Sequence, residues 1–423
     1  MRAFARRWLS GDERTLGAFL VVGVLTMAFF RLDTLRAELG SGADPLALLV
    51  VATAVTWWSL LPRSFVWRDP ADLTWRDNAD THRAHTDRAA IVSQRLTGHW
   101  LGRVLVLGYL LAVLAAVVAA PLLWVLAGSS VLVGAAFLAL SVVRTAPARL
   151  EWVVPLVLAG AAVALEPGPS LLFVTAAALL VAGTFLFRPG TPPIADASRQ
   201  TLVDGWRDRV LRVSGVQFMD LALMLPAARP AGGLRLTSGL RLAWLGVLGR
   251  TRHVPTAVLL AVTAVAVHRT FPALPGLPVF AVFGYASLVP LVAGLGELWR
   301  SPGRRRWAGL GDVALRWHHL LVATALAAVW AVPVWLAGGW TAEVLFTVPV
   351  LAAATIRTMT RRPPTYDNLI PVDTPIGALP LRLIAQTLRG PDLGAVALVL
   401  MVGTPWWATS LVAAAAMAMA VLR

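Results

Sequence analysis

The chain has 423 residues, 58% of them hydrophobic and 14% charged, with a formal net charge of +15. A water-soluble domain needs a far more polar surface, so a soluble enzyme, a disordered chain and a single-pass receptor are excluded. There is no cysteine, and all 37 basic residues are arginine. The first fact removes disulfides, thiol catalysis and Cys-based metal sites. The missing lysine removes a standard P-loop ATPase site and Schiff-base chemistry.

One membrane span takes about 20 apolar residues. In chain order, apolar runs fall at 16–30, 45–61, 104–126, 131–143, 152–165 and 171–187, then at 254–267, 277–295, 320–336, 344–356, 393–403 and 406–422. The expected fold is all-α: a polytopic membrane protein of about twelve transmembrane helices. Arg2, Arg6, Arg7 and Arg14 precede the first run, which reads as an uncleaved span. With the N-terminus in the cytoplasm and the sides alternating, all basic residues except Arg31, Arg36 and Arg269 fall on the cytoplasmic side. That bias obeys the positive-inside rule and sets the charge against an anionic inner leaflet. A nucleic-acid partner is not needed to explain it. Both termini are then expected in the cytoplasm. The richness in Arg, Ala, Gly and Pro points to a bacterial plasma membrane. Trp57, Trp58, Trp67, Trp75, Trp100, Trp299, Trp307 and Trp317 sit at or near the span ends, where indole rings favour the interface.

The two halves follow one plan. After the second run the chain reads Trp67-Arg68-Asp69-Pro70 and then Trp75; after the eighth it reads Trp299-Arg300-Ser301-Pro302 and then Trp307, with the same tryptophan spacing. Val143-Arg144-Thr145 after the fourth run answers Ile356-Arg357-Thr358 after the tenth, and the fourth and fifth runs of each half are short. The expected domains are a first six-span half at 1–187 with a cytoplasmic loop at 63–103, a linker at 188–235, and a second six-span half at 236–423 with a loop at 298–317. Parallel repeats are a common transporter architecture. In the linker, Arg188-Pro189-Gly190-Thr191-Pro192-Pro193 breaks the preceding helix. Leu202, Trp206, Val210 and Val213 then recur at helical spacing among Arg207, Asp208, Arg209 and Arg212. That pattern is an amphipathic helix for a membrane surface or a partner, or else a passive tether.

Little in the chain looks catalytic. Glu151, Glu166, His268 and Glu297 all fall near span ends, so the mid-membrane ion relay of a secondary transporter is missing. Asp33, Glu38 and Asp44 on the first external loop could serve general acid–base work or a divalent cation, but read as a solvated loop. His82, His85 and His99 with Asp80 and Asp87 could bind zinc, yet the mixed charge of 76–88 reads as a solvated helix. His318-His319 reads as interfacial. No catalytic residue and no metal site is therefore expected. The loops after the second and eighth runs carry more. Asp69-Pro70 and Ser301-Pro302 each pair an N-cap with a first-turn proline, so each half offers a short arginine-rimmed cytoplasmic helix suited to docking a motor. The candidate docking residues are Trp67, Arg68, Asp69, Pro70, Asp72, Trp75 and Arg76 in the first loop, and Trp299, Arg300, Ser301, Pro302, Arg304, Arg305, Arg306 and Trp307 in the second.

This layout resembles the permease subunit of ABC exporters of the type-2 permease class: an interfacial helix before the first span, six spans per half, and a coupling helix after the second span. The resemblance implies interfacial helices at 1–15 and 235–252 and coupling helices at Asp69–Arg76 and Ser301–Trp307. It also implies two separate P-loop ATPase subunits as partners, with ATP and Mg bound there and no cofactor on this chain. It covers the whole chain in layout and no residue string in particular. The segments Pro364-Thr365-Tyr366-Asp367 to Thr374-Pro375-Ile376-Gly377 and Arg389-Gly390-Pro391-Asp392 also look like uncharacterised multi-pass proteins of actinobacteria. The competing expectations are a multi-pass membrane enzyme acting on lipid-linked substrates and a non-transporting assembly partner.

Overall fold

The computed structural model describes residues 23, 25–40, 45–77, 81–145, 147–148, 150–190, 194, 197–217, 228, 238–362, 372–374, 377–379 and 385–422, with side chains outside 76–88, 216–217 and 372–379. The expected stretch at 1–15, most of the first run, Asp44, Asp80 and the 364–371 motif lie outside these residues. The chain is helical almost throughout. The first part holds α1 (Leu32–Leu39), α2 (Pro45–Trp58), α3 (Pro70–Asp77), α4 (Thr81–Val118), α5 (Leu122–Val143), α6 (Val153–Leu165) and α7 (Pro169–Leu186). Then follow α8 (Arg199–Gln217), α9 (Gly239–Leu248), α10 (Val254–Thr270), α11 (Gly276–Arg300), α12 (Pro302–Trp307), α13 (Asp312–Gly338), α14 (Thr347–Met359), α15 (Pro391–Met401) and α16 (Trp406–Leu422). Two three-residue strands, Val372–Thr374 and Gly377–Leu379, pair antiparallel between α14 and α15.

Among the described residues, six helices are long and apolar enough to cross a membrane: Ala89–Val118, Leu122–Val143, Pro169–Leu186, Gly276–Arg300, Asp312–Gly338 and Ala342–Met359. The chain is therefore a membrane protein built on apolar helices. Pro45–Trp58, Val153–Leu165, Pro391–Met401 and Trp406–Leu422 are apolar but shorter. At 1.5 Å per residue, the 13 residues of α6 cover only about 20 Å of a hydrocarbon layer about 30 Å thick.

Both ends of the third expected run, 104–126, differ: α4 begins at Thr81 and its apolar part at Ala89, inside the loop expected at 63–103, and it ends at Val118. A break was expected between 126 and 131, at Gly128-Ser129-Ser130, leaving a short fourth run. The chain turns instead at 119–121, where Ala119 takes a positive φ of 52° and Pro121 caps the 22-residue helix α5. Pro121 removes a donor that a helix start does not need. The serines stay helical because their hydroxyls bond back to Leu126 O at 2.9 Å and Ala127 O at 2.7 Å. Gly128 is a close-approach site, since a Cβ there would overlap Leu49 of α2.

The core runs through both halves. Leu46, Val51, Ala127 and Val163 join Leu259, Phe280, Ala327 and Trp330 in one buried cluster. α10 packs against both α2 and α6, and Trp58 Nε1 donates to Thr256 Oγ1 at 3.2 Å across that seam. Helix ends are tied by arginine. Arg63, held at a positive φ of 49°, pairs with Glu151 through two 2.8 Å bonds. It also donates to Thr145 O at 3.1 Å and Leu61 O at 2.9 Å. One guanidinium thus joins the end of α2, the end of α5 and the entry to α6. The Arg389-Gly390-Pro391-Asp392 motif is a joint of the same kind. Gly390 has φ 117°, and a Cβ there would overlap Thr358 Oγ1. Asp392 accepts from the Gly390 N–H at 2.6 Å and from Arg357 at 3.0 Å.

The side chains of Arg63 and Glu151 are only 4% and 10% exposed. Removing one charge from such a pair strands the other, at a cost of about 3–5 kcal/mol. Glu151→Gln should therefore lower the thermal unfolding midpoint in detergent sharply, whereas Glu166→Gln, whose side chain is 67% exposed, should lower it little. A Glu151→Gln protein that melts with the wild type would remove the pair from this role.

Candidate functional site

The loop between α2 and α4 begins under a tryptophan. Trp67 lies with Arg95 Cζ 3.5 Å and Arg209 Cζ 4.5 Å from its ring centroid, and Trp206 lies 5.1 Å away. Arg95, from α4, also donates to the Trp67 carbonyl. Asp69 caps α3 as expected, accepting from the Ala71 N–H at 2.9 Å. Pro70 follows in the first turn. Leu73 is fully buried and anchors α3, while Trp75 is 79% exposed and Asp72 is exposed. Arg68 is not on the rim: it is buried at 5% exposure. Arg76 lies on α3 with its side chain outside the described set.

The loop between α11 and α13 is similar in plan. Trp299 has Arg305 Cζ at 4.7 Å and Arg316 Cζ at 4.5 Å from its ring. Arg316 comes from α13, the next long helix, as Arg95 comes from α4. Pro302 starts α12, but Ser301 makes no side-chain capping bond, which departs from the expected cap. Its carbonyl accepts from the Arg305 N–H at 3.0 Å, the ordinary first bond of the helix, as Asp69 O does from the Leu73 N–H. Arg305 also meets Asp312 at 3.4 Å. Arg300 is half-buried, Arg304 and Arg306 are exposed, and Trp307 is 92% exposed.

The linker helix α8 was expected on a membrane, on a partner or as a tether. It packs on the first loop. The Arg68 N–H donates to Leu202 O at 3.2 Å, Arg199 donates to Thr74 Oγ1 at 3.1 Å, and Leu202 is buried. Gly205 is required here, because a Cβ would overlap the Val66 carbonyl oxygen. Val210, Leu211 and Val213, further along, are exposed.

A cavity of about 590 Å3 lies among α6, α10, α11 and α13. Val163, Ala257, Ala261, Leu288 and Trp330 line it, and Arg269 stands at its edge. Val258 and Val329, on the same wall, are exposed, so the cavity opens sideways on the helix surface. Arg269 closes one end by donating to Val163 O at 2.9 Å and Ala337 O at 2.7 Å, with Glu166 at 3.2 Å. It therefore binds the last turns of both α6 and α13. Periodicity did not reveal this cavity; the only hint was an arginine placed against the inside bias.

The remaining candidates have structural partners. Asp33 meets Arg36 at 3.5 Å with its side chain 98% exposed. Arg36 caps α4 at Ala116 O, at 2.7 and 3.0 Å. Glu297 pairs with Arg250, and His268 stacks on Trp340 at 3.8 Å. His318 and His319 bond back to Ala314 O and Leu315 O at 2.6 and 2.8 Å. The side chains of His82, His85 and Asp87 lie outside the described set. Among the described residues no group of three or more His, Asp and Glu side chains could hold a metal ion. Comparison with protein-family models, with characterised proteins and with solved structures finds no match.

His253, in the turn at the foot of α10, is driven down to about 4 by burial and by the neighbouring Arg252 and Arg250. Arg252 Nε donates to its Nε2 at 3.4 Å, a bond that requires the neutral ring. An unfolded histidine titrates near 6.5, so this contribution to stability is complete above about pH 6.5 and is lost as pH falls towards 4. The thermal midpoint of the wild type should drop between pH 6.5 and 4.5 by more than that of His253→Asn. Parallel curves for the two proteins would overturn the assignment.

Proposed function

We propose that this chain is the membrane-spanning permease of an ATP-driven exporter, organised as two six-helix repeats of about twelve spans with both termini in the cytoplasm of a bacterial cell. ATP and Mg are held by separate P-loop ATPase subunits, one for each loop. The shorter helices α2, α6, α10, α15 and α16 and the first apolar run, 16–30, count as spans in this reading, the helices completed by their flanking residues and by local thinning of the bilayer.

One observation carries the proposal. In each loop a tryptophan, Trp67 in the chain beyond α2 and Trp299 in the last turn of α11, is covered by two arginines, one of them from the next long helix. A short helix then starts at proline and leaves a tryptophan 79% or 92% exposed. Exposed tryptophan beside arginine is the composition of an interface anchor. A single loop of this kind would be a turn between spans; the same device at matching places favours a docking element used twice. Trp75, Asp72, Trp307, Arg304 and Arg306 form the contact surface. Trp67, Trp299, Arg95 and Arg316 position it.

The cargo path in this reading is the cavity beside α6, α10, α11 and α13. Its wall is apolar, and its opening faces the lipid. That suits a lipid-like, peptide or drug-like cargo better than an ion, which would need polar or charged groups along its path. Arg269, tying α6 of the first half to α13 of the second, closes the external end.

Full-length protein taken from its host in mild detergent should co-purify with a stoichiometric P-loop ATPase. Trp75→Ala and Trp307→Ala should each weaken that association by at least about tenfold while leaving the melting temperature unchanged. Absence of an ATPase under conditions that preserve a known ABC complex would sink the reading. In a reconstituted complex, Ala261→Trp should fill the cavity and reduce cargo-stimulated ATP hydrolysis without reducing ATPase binding. Undiminished stimulation would remove the cavity from the path.

A further inference from the structure

Arg68 presents a problem that neither the fold nor the docking reading solves. It is 5% exposed, and its two terminal nitrogens, both fully buried, have no hydrogen-bond partner. A buried charge normally shifts, pairs or is excluded, and arginine does not lose its proton. No carboxylate compensates among the described residues. Asp69 is turned to the Ala71 N–H at 2.9 Å, and Asp204 accepts from Gln200 at 3.0 Å. The neighbours are cations instead. Arg68 and Arg209 both lie within electrostatic reach of Arg95. Arg95, Arg103, Arg209 and Arg212 all lie within reach of His99. The cluster grades from buried Arg68 through half-buried Arg95 to exposed Arg209, the last two both lying against the Trp67 ring. Left alone, such a cluster repels itself; it is stable with an anion.

The setting defines the anion. Immediately beyond the cluster α4 turns apolar, and Leu101, Leu105 and Val106 are exposed on its surface at 47%, 64% and 57%. The cluster therefore stands where the hydrocarbon layer ends and headgroups begin. Guanidinium groups bind phosphate oxygens through paired N–H donors, and a membrane surface carries phosphate at that depth. We infer that the Trp67 cluster is a binding site for a phosphate group, with Arg68 as its buried floor and Arg95 and Arg209 at its mouth. Helix α8 supplies Arg209 and closes the site over the first loop, so an anion bound there fastens the linker to that loop. Among the described residues no linker helix packs over Trp299, so the site belongs to the first loop alone. The inference is independent of the exporter reading.

The test uses the full-length chain in a neutral detergent. Its thermal midpoint is followed against phosphatidylglycerol in mixed micelles, with phosphatidylcholine at equal total lipid as reference. In a second arm it is followed against inorganic phosphate, with chloride at equal ionic strength as reference. A saturable rise is expected in at least one arm. Phosphatidylglycerol alone marks a lipid headgroup, and inorganic phosphate marks a soluble phosphate group. Arg68→Gln and Arg209→Gln should each raise the half-saturating concentration about tenfold, and Arg241→Gln, which removes an exposed charge elsewhere, should leave it unchanged. Arg209 is exposed, so its variant carries the test if Arg68→Gln does not fold. Three results overturn the site: no saturable rise in the wild type, an Arg209→Gln protein that titrates like the wild type, or an equal loss in Arg241→Gln.

Discussion

A helix that ends in or beside a bilayer leaves its last carbonyls without donors, and water is scarce there to supply them. This chain answers the need with arginine. Arg63 reaches the carbonyls of Leu61 and Thr145, Arg36 that of Ala116, and Arg144 those of Arg188 and Gly190. Arg250 reaches Gly246, Arg269 reaches Val163 and Ala337, Arg316 reaches Val421, and Arg361 reaches Thr387. A guanidinium has five donors in a fixed plane and stays charged when desolvated. It can therefore bind two helix ends at once, which a lysine ammonium on its flexible stem does poorly. Complete replacement of lysine by arginine has a structural consequence whatever its origin in base composition.

The same need accounts for what was legible in the sequence. Helical class, membrane character and several helix boundaries follow from long apolar runs and from Pro70 and Pro302, because these signals are local. The break at 119–121 was not legible. Gly128-Ser129-Ser130 looks like a stronger interruption than Ala119-Ala120-Pro121, and only the back-bonds of the serines and the close approach of Leu49 show that the helix runs through. Ser301 looked like the equivalent of Asp69, yet only Asp69 adds a side-chain bond to the backbone bond that both carbonyls accept four residues on. Arg68 looked like a rim residue because it stands beside Trp67 and Asp69. Its burial depends on Leu202 and Gly205, more than a hundred residues away, and no periodicity reports that. The cavity is a tertiary property of four helices from both halves and was likewise out of reach.

Exceptions to the charge bias proved more informative than the bias. Arg36 and Arg269, which the positive-inside reading sets against the bias, both cap helix ends. Arg269 does so between α6 and α13, at the edge of the large apolar cavity. A residue that breaks a statistical rule at an electrostatic cost is held by a specific geometry, and in a chain this apolar such residues are few enough to be read one by one.

The two loops share a plan but not a state. The first is fastened: Leu73 is buried beneath α3, α8 packs across it through Gly205 and Trp206, and its arginines crowd around one indole ring. The second is open: α12 is a single exposed helix of six residues, and Arg305 finds its carboxylate in Asp312 at the start of the following helix. The two loops thus present unlike surfaces, one overlaid by α8 and the other, among the described residues, without such a cover. Such asymmetry follows directly from joining two halves by a linker long enough to fold back. That linker can lie over one loop only, and the loop it covers is the one that precedes it in the chain.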